Sequence, residues 1–304
     1  MRRFLIFLTA TAALTLPSTR SLAGGKYDVD LTPLGTGGKD NAAFRSLSSE
    51  LGTLMAPKPV DPADSLGLSG FAVAYDLSIN TIGNDKGYWT QTTSSPDKVV
   101  PTMQIYGRKG LWPGVEIGAG ATHLFDSNIW ALGGYGKIAL HEGFHHLPVP
   151  SIAVRFAGSQ LLGAKDLKMS MLTPGIEISH VFGLGKTFNL TPYVGYEALL
   201  VIASSTVVDA TPNCDEFPDD YNEDTCDAQN QDAEFVFKRQ DVIVRHRPYL
   251  GARFIFSVLR FTVEAMFVPP GKSKATIDEA GSSETVQDGS TFQQQYTFSV
   301  GFDF

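Results

Sequence analysis

The sequence predicts a closed antiparallel transmembrane β-barrel of about ten strands, preceded by a short helix. Apolar and polar residues alternate with period two along most of the chain from Phe71 to Phe304. Beyond the amino terminus no stretch reaches the roughly 18 consecutive apolar residues of a membrane-spanning helix. Glycine (30 residues) and aromatics (11%) are abundant while charged residues are only 18%, a balance that suits much half-buried strand.

The alternation is plainest at the carboxyl end. In QQYTFSVGFDF, Tyr296, Phe298, Val300, Phe302 and Phe304 share one face, and Thr297, Ser299, Gly301 and Asp303 the other. Phe188, Leu190, Pro192, Val194, Tyr196, Ala198 and Leu200 likewise oppose Asn189, Thr191, Tyr193, Gly195 and Glu197, and Leu250, Ala252, Phe254 and Phe256 oppose Tyr249, Gly251, Arg253 and Ile255. A barrel in lipid demands such segments, because its backbone groups pair within the closed sheet and only side chains distinguish lipid from lumen. Strands are expected near residues 69–82, 98–108, 112–124, 129–141, 150–161, 167–182, 187–205, 241–257, 259–268 and 291–304. Boundaries read from one sequence shift by about two to four residues, so counts of about 8 or 12 stay open. With the first strand starting in the periplasm, the two longest connections (about 206–240 and 269–290) face outward and the eighth is a bare turn at Ser257-Val258, the usual asymmetry of such barrels.

The final strand resembles a feature of the outer-membrane barrel proteins of Gram-negative bacteria. These commonly end in alternating aromatics and a terminal Phe that the barrel-assembly machinery recognises, and Tyr296, Phe298, Val300, Phe302 and Phe304 fit that pattern. The resemblance names a superfamily and implies an outer-membrane location, with membrane lipid, lipopolysaccharide and the assembly machinery as partners.

At the other end, Arg2 and Arg3 precede an apolar run from Phe4 to Leu16, with Ser21 and Ala23 ahead of Gly24, so residues 1–23 read as a secretory signal peptide. Residues 24–68 then form a periplasmic segment and 69–304 the barrel. Within that segment Phe44, Leu47, Leu51, Leu54 and Met55 recur at helical spacing, Asp40 or Asn41 caps the helix, and PKPVDPAD ends it. Such a helix serves as a plug in the barrel or a lid on its periplasmic mouth, or it merely lies against the barrel end, since amphipathicity shows only that one face is buried.

The inward parity carries Asp76, Glu116, Glu177, Glu197 and Glu264 as acids and Arg108, Lys137, Arg155, Arg253 and Arg260 as bases. A balanced set pairs across a narrow lumen, because buried charge is costly unless paired. Two readings follow, a narrow or gated channel and a salt-bridged structural core. Gly118, Gly120, Gly133, Ala153 and Gly175 leave local room for a small-ligand cavity.

Other constellations are weaker. His141, Glu142 and His145 in HEGFHH have the two-histidine zinc spacing, but that motif needs a helix, and here a strand leads in and Pro148 and Pro150 follow. It reads as a His-rich periplasmic turn that ends the fourth strand. Cys214 and Cys226 suggest one disulfide across an outer loop, inside an acid-rich run from Asp209 to Glu234 that is either a solvated surface or a divalent-cation site bridging to lipopolysaccharide. His246 beside Asp241, with His123, would suit a rim hydrolase, although no nucleophile motif accompanies them. A net charge of −8 argues against nucleic acid. Nothing calls for a cofactor. The expected function is a narrow or gated passage for small solutes, with a structural or adhesive surface barrel as the alternative.

Overall fold

A computed structural model describes residues 24–35, 38–142, 149–184, 188–211, 234–279 and 282–304. Residues 1–23, His145, Cys214, Cys226 and most of the acid-rich run lie outside the described residues. The barrel strands are β1 (Phe71–Thr81), β2 (Val99–Trp112), β3 (Val115–Leu124), β4 (Trp130–His141), β5 (Ser151–Leu162), β6 (Leu167–Ser179), β7 (Phe188–Ser205), β8 (Ile243–Phe256), β9 (Leu259–Val268) and β10 (Gln293–Asp303). Each pairs antiparallel with the next. β10 returns to β1, from Ala72 opposite Asp303 to Asn80 opposite Gln295, which closes the ten-strand ring. A three-residue extension, Phe182–Leu184, continues alongside β7. β2 runs to Trp112 rather than to residue 108, because the chain reverses at Pro113-Gly114, where Gly114 takes φ +78°.

The two rims differ. At one, which we call the turn end, β1 starts, β10 stops, and the connections 113–114, 142–150, 180–187 and 257–258 lie. The other, the loop end, carries 82–98, 125–129, 163–166, 206–242 and 269–292, including a hairpin of Lys274–Glu279 with Ser282–Gln287.

Side chains sort by the alternation. Val73, Ile105, Ile117, Leu132, Phe156, Ile176, Val194, Leu250, Val263 and Phe298 stand exposed, so every strand contributes to one continuous apolar belt. Their inward neighbours include the charged residues. Val194 is 53% exposed while Glu197 is 0%, the reverse of a water-soluble protein. Such an exterior requires lipid.

Helix α1 (Asn41–Met55) lies inside the ring. Asp40 caps it, its carboxylate accepting from the Ala43 amide at 2.8 Å, and at Ala56 the chain turns extended. Every residue from Phe44 to Met55 is buried, polar ones included. Residues 24–35, 38–40 and α1 meet the loop end, opposite the rim where β1 begins, and residues 56–70 thread down to the turn end. The reason is chemical: the helix needs an apolar wall, and inward residues provide one only near the loop end, at Leu124, Leu161, Leu167, Met169, Met171, Leu199 and Val201.

Candidate functional site

The lumen and the segment that fills it form a site built from many elements. Its upper part receives α1. Phe44, Leu47, Leu51, Leu54 and Met55 pack on the apolar wall of β3 to β7, and Phe44 stacks on Phe237 with ring centroids 4.5 Å apart. Gly52 permits the approach, since a Cβ there would fall 2.6 Å from a Val201 methyl. The polar side of α1 faces the opposite wall. Glu50 accepts from the Gly83 amide (2.9 Å), Tyr88 hydroxyl (2.9 Å), Trp89 Nε1 (2.7 Å) and Thr291 amide (2.7 Å). Arg45 donates to the Asp241 carbonyl (2.8 Å) and Ser273 Oγ (2.9 Å). Arg245, reaching in from β8, donates to Ser49 Oγ (2.8 Å) and Ser290 Oγ (2.7 Å).

Below α1, residues 56–70 form an extended strap held by charge. Arg155 donates to the Lys58 carbonyl at 3.2 Å, and the Val60 amide donates to Glu264 at 2.9 Å. Asp61 sits among four cations: Arg108 and Lys137 contact it directly, with Arg253 at 3.3 Å and Arg260 at 3.5 Å. Asp64 pairs with Arg253. Lys137 also donates to the Pro62 and Asp64 carbonyls at 3.0 Å each. Ser65 then anchors to Glu142, its amide donating at 2.8 Å. Val60, just before Asp61, has φ +46°, a conformation that β-branched residues rarely adopt.

All ten charged residues expected on the inward parity lie buried in the lumen. Their partners differ from the expectation. Arg155 pairs with Glu197 at 2.8 Å, and Arg108 and Lys137 approach Glu116 at 3.4 and 3.6 Å. Yet among the described residues Asp76, Glu177 and Glu264 meet neutral donors instead: Gln104 at 3.3 Å, Tyr249 at 3.0 Å and Tyr193 at 2.9 Å. Arg253 and Arg260 turn to Asp61. The balance across the strands is therefore completed by the strap.

Sequence reasoning passed over Arg45, Glu50, Lys58, Asp61 and Asp64, and also Arg245 and Arg247 on either side of His246. The parity of Tyr249 and Arg253 continued backwards reaches both arginines, which was the available signal. By the same parity His246 points outward, with Tyr196 Oη 2.5 Å from its Nδ1. His123 stacks on Trp130 at 4.3 Å. His123 lies on β3 and His246 on β8, strands that do not pair with each other. His141 ends β4 as a strand residue, and its neighbour Glu142 holds the strap.

The expected room over small residues is largely taken. A Cβ on Gly118 would fall 2.3 Å from the Tyr135 ring, and Gly195 and Gly251 lie as closely under Tyr249 and Tyr193. A cavity of about 30 Å³ remains beside Gly120 and Gly133, against Lys58 and Arg155, enough for about one water molecule.

No family model matches the chain, and neither does any curated protein. Among solved structures the chain is similar to the outer membrane protease OmpT of Escherichia coli, at 9% identity over 78% of this chain and 96% of that one, with a TM-score of 0.38. It is similar also to the attachment invasion locus protein Ail of Yersinia pestis, at 10% identity over 78% and 99% with a TM-score of 0.26. A third is OprG of Pseudomonas aeruginosa, at 10% identity over 80% and 99% with a TM-score of 0.29. By its own closed sheet, apolar belt and polar interior, the chain is a transmembrane β-barrel with its lumen filled by its own amino-terminal segment.

Proposed function

We propose that the protein is a gated passage for small solutes, with the long connections facing out of the cell and α1 with its strap as the gate. The observation that carries this reading is that a separate chain segment, rather than strand side chains alone, fills the lumen and is held there through Asp61 set among four strand cations. Such a stopper leaves a lined path when it withdraws. The backbone at Val60 supports the same reading, because a left-handed β-branched residue stores about 1–3 kcal/mol that its surroundings must maintain.

A locked variant tests it. Ser49 Oγ on α1 lies 3.0 Å from Ser290 Oγ in the ninth connection. Cysteines at both positions, with Cys214 and Cys226 changed to serine, tie the helix to the barrel when oxidised. In planar bilayers the reduced protein is expected to open in bursts and the oxidised protein to stay silent. Identical traces in both states would refute gating by this segment. The second reading, a surface barrel without transport, draws on the many bonds of Arg45 and Glu50 to the connections, and it predicts silence throughout.

A further inference from the structure

The cations around Asp61 all come from the barrel strands. Arg108 comes from β2, Lys137 from β4, Arg253 from β8 and Arg260 from β9, so opposite walls of the barrel converge on one carboxylate. Strand acids answer only part of that charge. Glu116 lies 3.4 Å from Arg108 and 3.6 Å from Lys137 but is shared with the Tyr135 hydroxyl at 2.6 Å, and Asp303 stands 3.7 Å from both Arg108 and Arg260. Several donors in the cluster have no hydrogen-bond partner among the described residues: Arg108 Nε and Nη2, Arg253 Nε and Arg260 Nε. These are buried guanidinium groups with donors unspent.

Guanidinium forks match the two oxygens of a carboxylate better than a spherical ion, and rings of Arg and Lys select anions in pores. We infer that the cluster is a binding site for small carboxylate anions, for which the Asp61 side chain is the resident substitute. Small size follows from Tyr106, whose hydroxyl accepts from Arg260 at 2.6 Å, and from Tyr135 beside it. The inference deepens the passage reading by naming the solute class, and its test does not use conductance. A barrel that never conducts would therefore refute the passage and leave the site standing.

The full chain carrying Asp61→Ala is refolded in detergent with sodium acetate or with sodium chloride at equal ionic strength. In chloride its Tm is expected about 10 °C below the parent, because uncompensated buried cations are strongly destabilising. Acetate is expected to recover about half of that loss and to leave the parent unchanged, as mass action on a vacated site requires. Equal Tm values in the two salts, or the same gain in the parent, overturn the proposal. Should Asp61→Ala refold poorly, the folded yield is scored in each salt, together with that of Asp61→Asn, whose amide still occupies the site. Acetate is expected to raise the yield of the alanine chain alone. Failure to do so overturns the proposal equally.

Discussion

At the loop end, α1 presents Phe44, Leu47, Leu51 and Leu54 to an apolar wall and Glu50 to a cage of neutral donors; at the turn end, the strap presents Asp61 and Asp64 to cations. The same short segment is thus held by two kinds of force. Burying an apolar side chain contributes about 1.5–3 kcal/mol, as an upper figure, and does not fix its orientation. The ion cluster contributes less net free energy, since desolvation offsets Coulomb attraction, but it admits only one register. The helix therefore supplies adhesion and the strap supplies position. On the proposed gated reading, a segment with this division slides free only after the charged half lets go.

The largest effect on this comparison is expected from Glu50→Ala. It strips the acceptor from Tyr88, Trp89, Gly83 and Thr291 at once, and buried donors left unpaired cost about 1–3 kcal/mol apiece, so a loss of about 5 kcal/mol is expected. Among the described residues no cation forms a salt bridge with Glu50. The loss should accordingly be the same in low and high salt when read by denaturant unfolding in detergent. A salt-dependent loss would place Glu50 with the charged half.

Next comes Leu51→Ala, on the apolar face, with about 3 kcal/mol expected from lost transfer and cavity terms. Hydrogen exchange should show α1 amides opening while strap amides at Val60 and Ala63 stay protected. Simultaneous opening would mean that the two halves move as one body and that position and adhesion are not separable.

The strands were legible because each repeats the same two-residue rule, whatever its neighbours. β9 and β4 end where the alternation ends, and the inward charges follow from parity alone. The filling of the lumen was not legible, for two physical reasons. Amphipathicity reports a buried face, but on α1 the polar face is buried as well, against Gly83, Tyr88 and Thr291, which no local pattern connects to Glu50. Asp61 and Asp64 sit in a proline-rich run with no period, where nothing in the chain itself marks them as partners of Arg108 or Arg253. The placement of α1 at the loop end depends on Leu199 and Val201 being apolar on the inward parity, which interrupts the polar rule followed earlier in β7 by Thr191 and Glu197.

The smallest expected effect belongs to the mouth of the loop end, where residues 24–30 cross the barrel rim. Lys26 Nζ lies 2.5 Å from Asp97, and its hydrogen bond holds the Asp97 carboxyl below its ordinary value. With the folded value lower than the unfolded one, the clasp contributes above the ordinary carboxylate range and is lost as pH falls through the folded value. Solvent screens the pair, so the contribution is local. Acidification should expose the amides of Tyr27 and Asp30 to exchange, which now donate to the Asp126 and Thr92 carbonyls, while α1 stays protected. Asp97→Asn should show that exposure already at neutral pH and lose its pH dependence. If acid opened residues 24–30 and α1 together in the parent but not in Asp97→Asn, the exposed clasp would be part of what seats the helix, and adhesion at the loop end would owe something to charge after all.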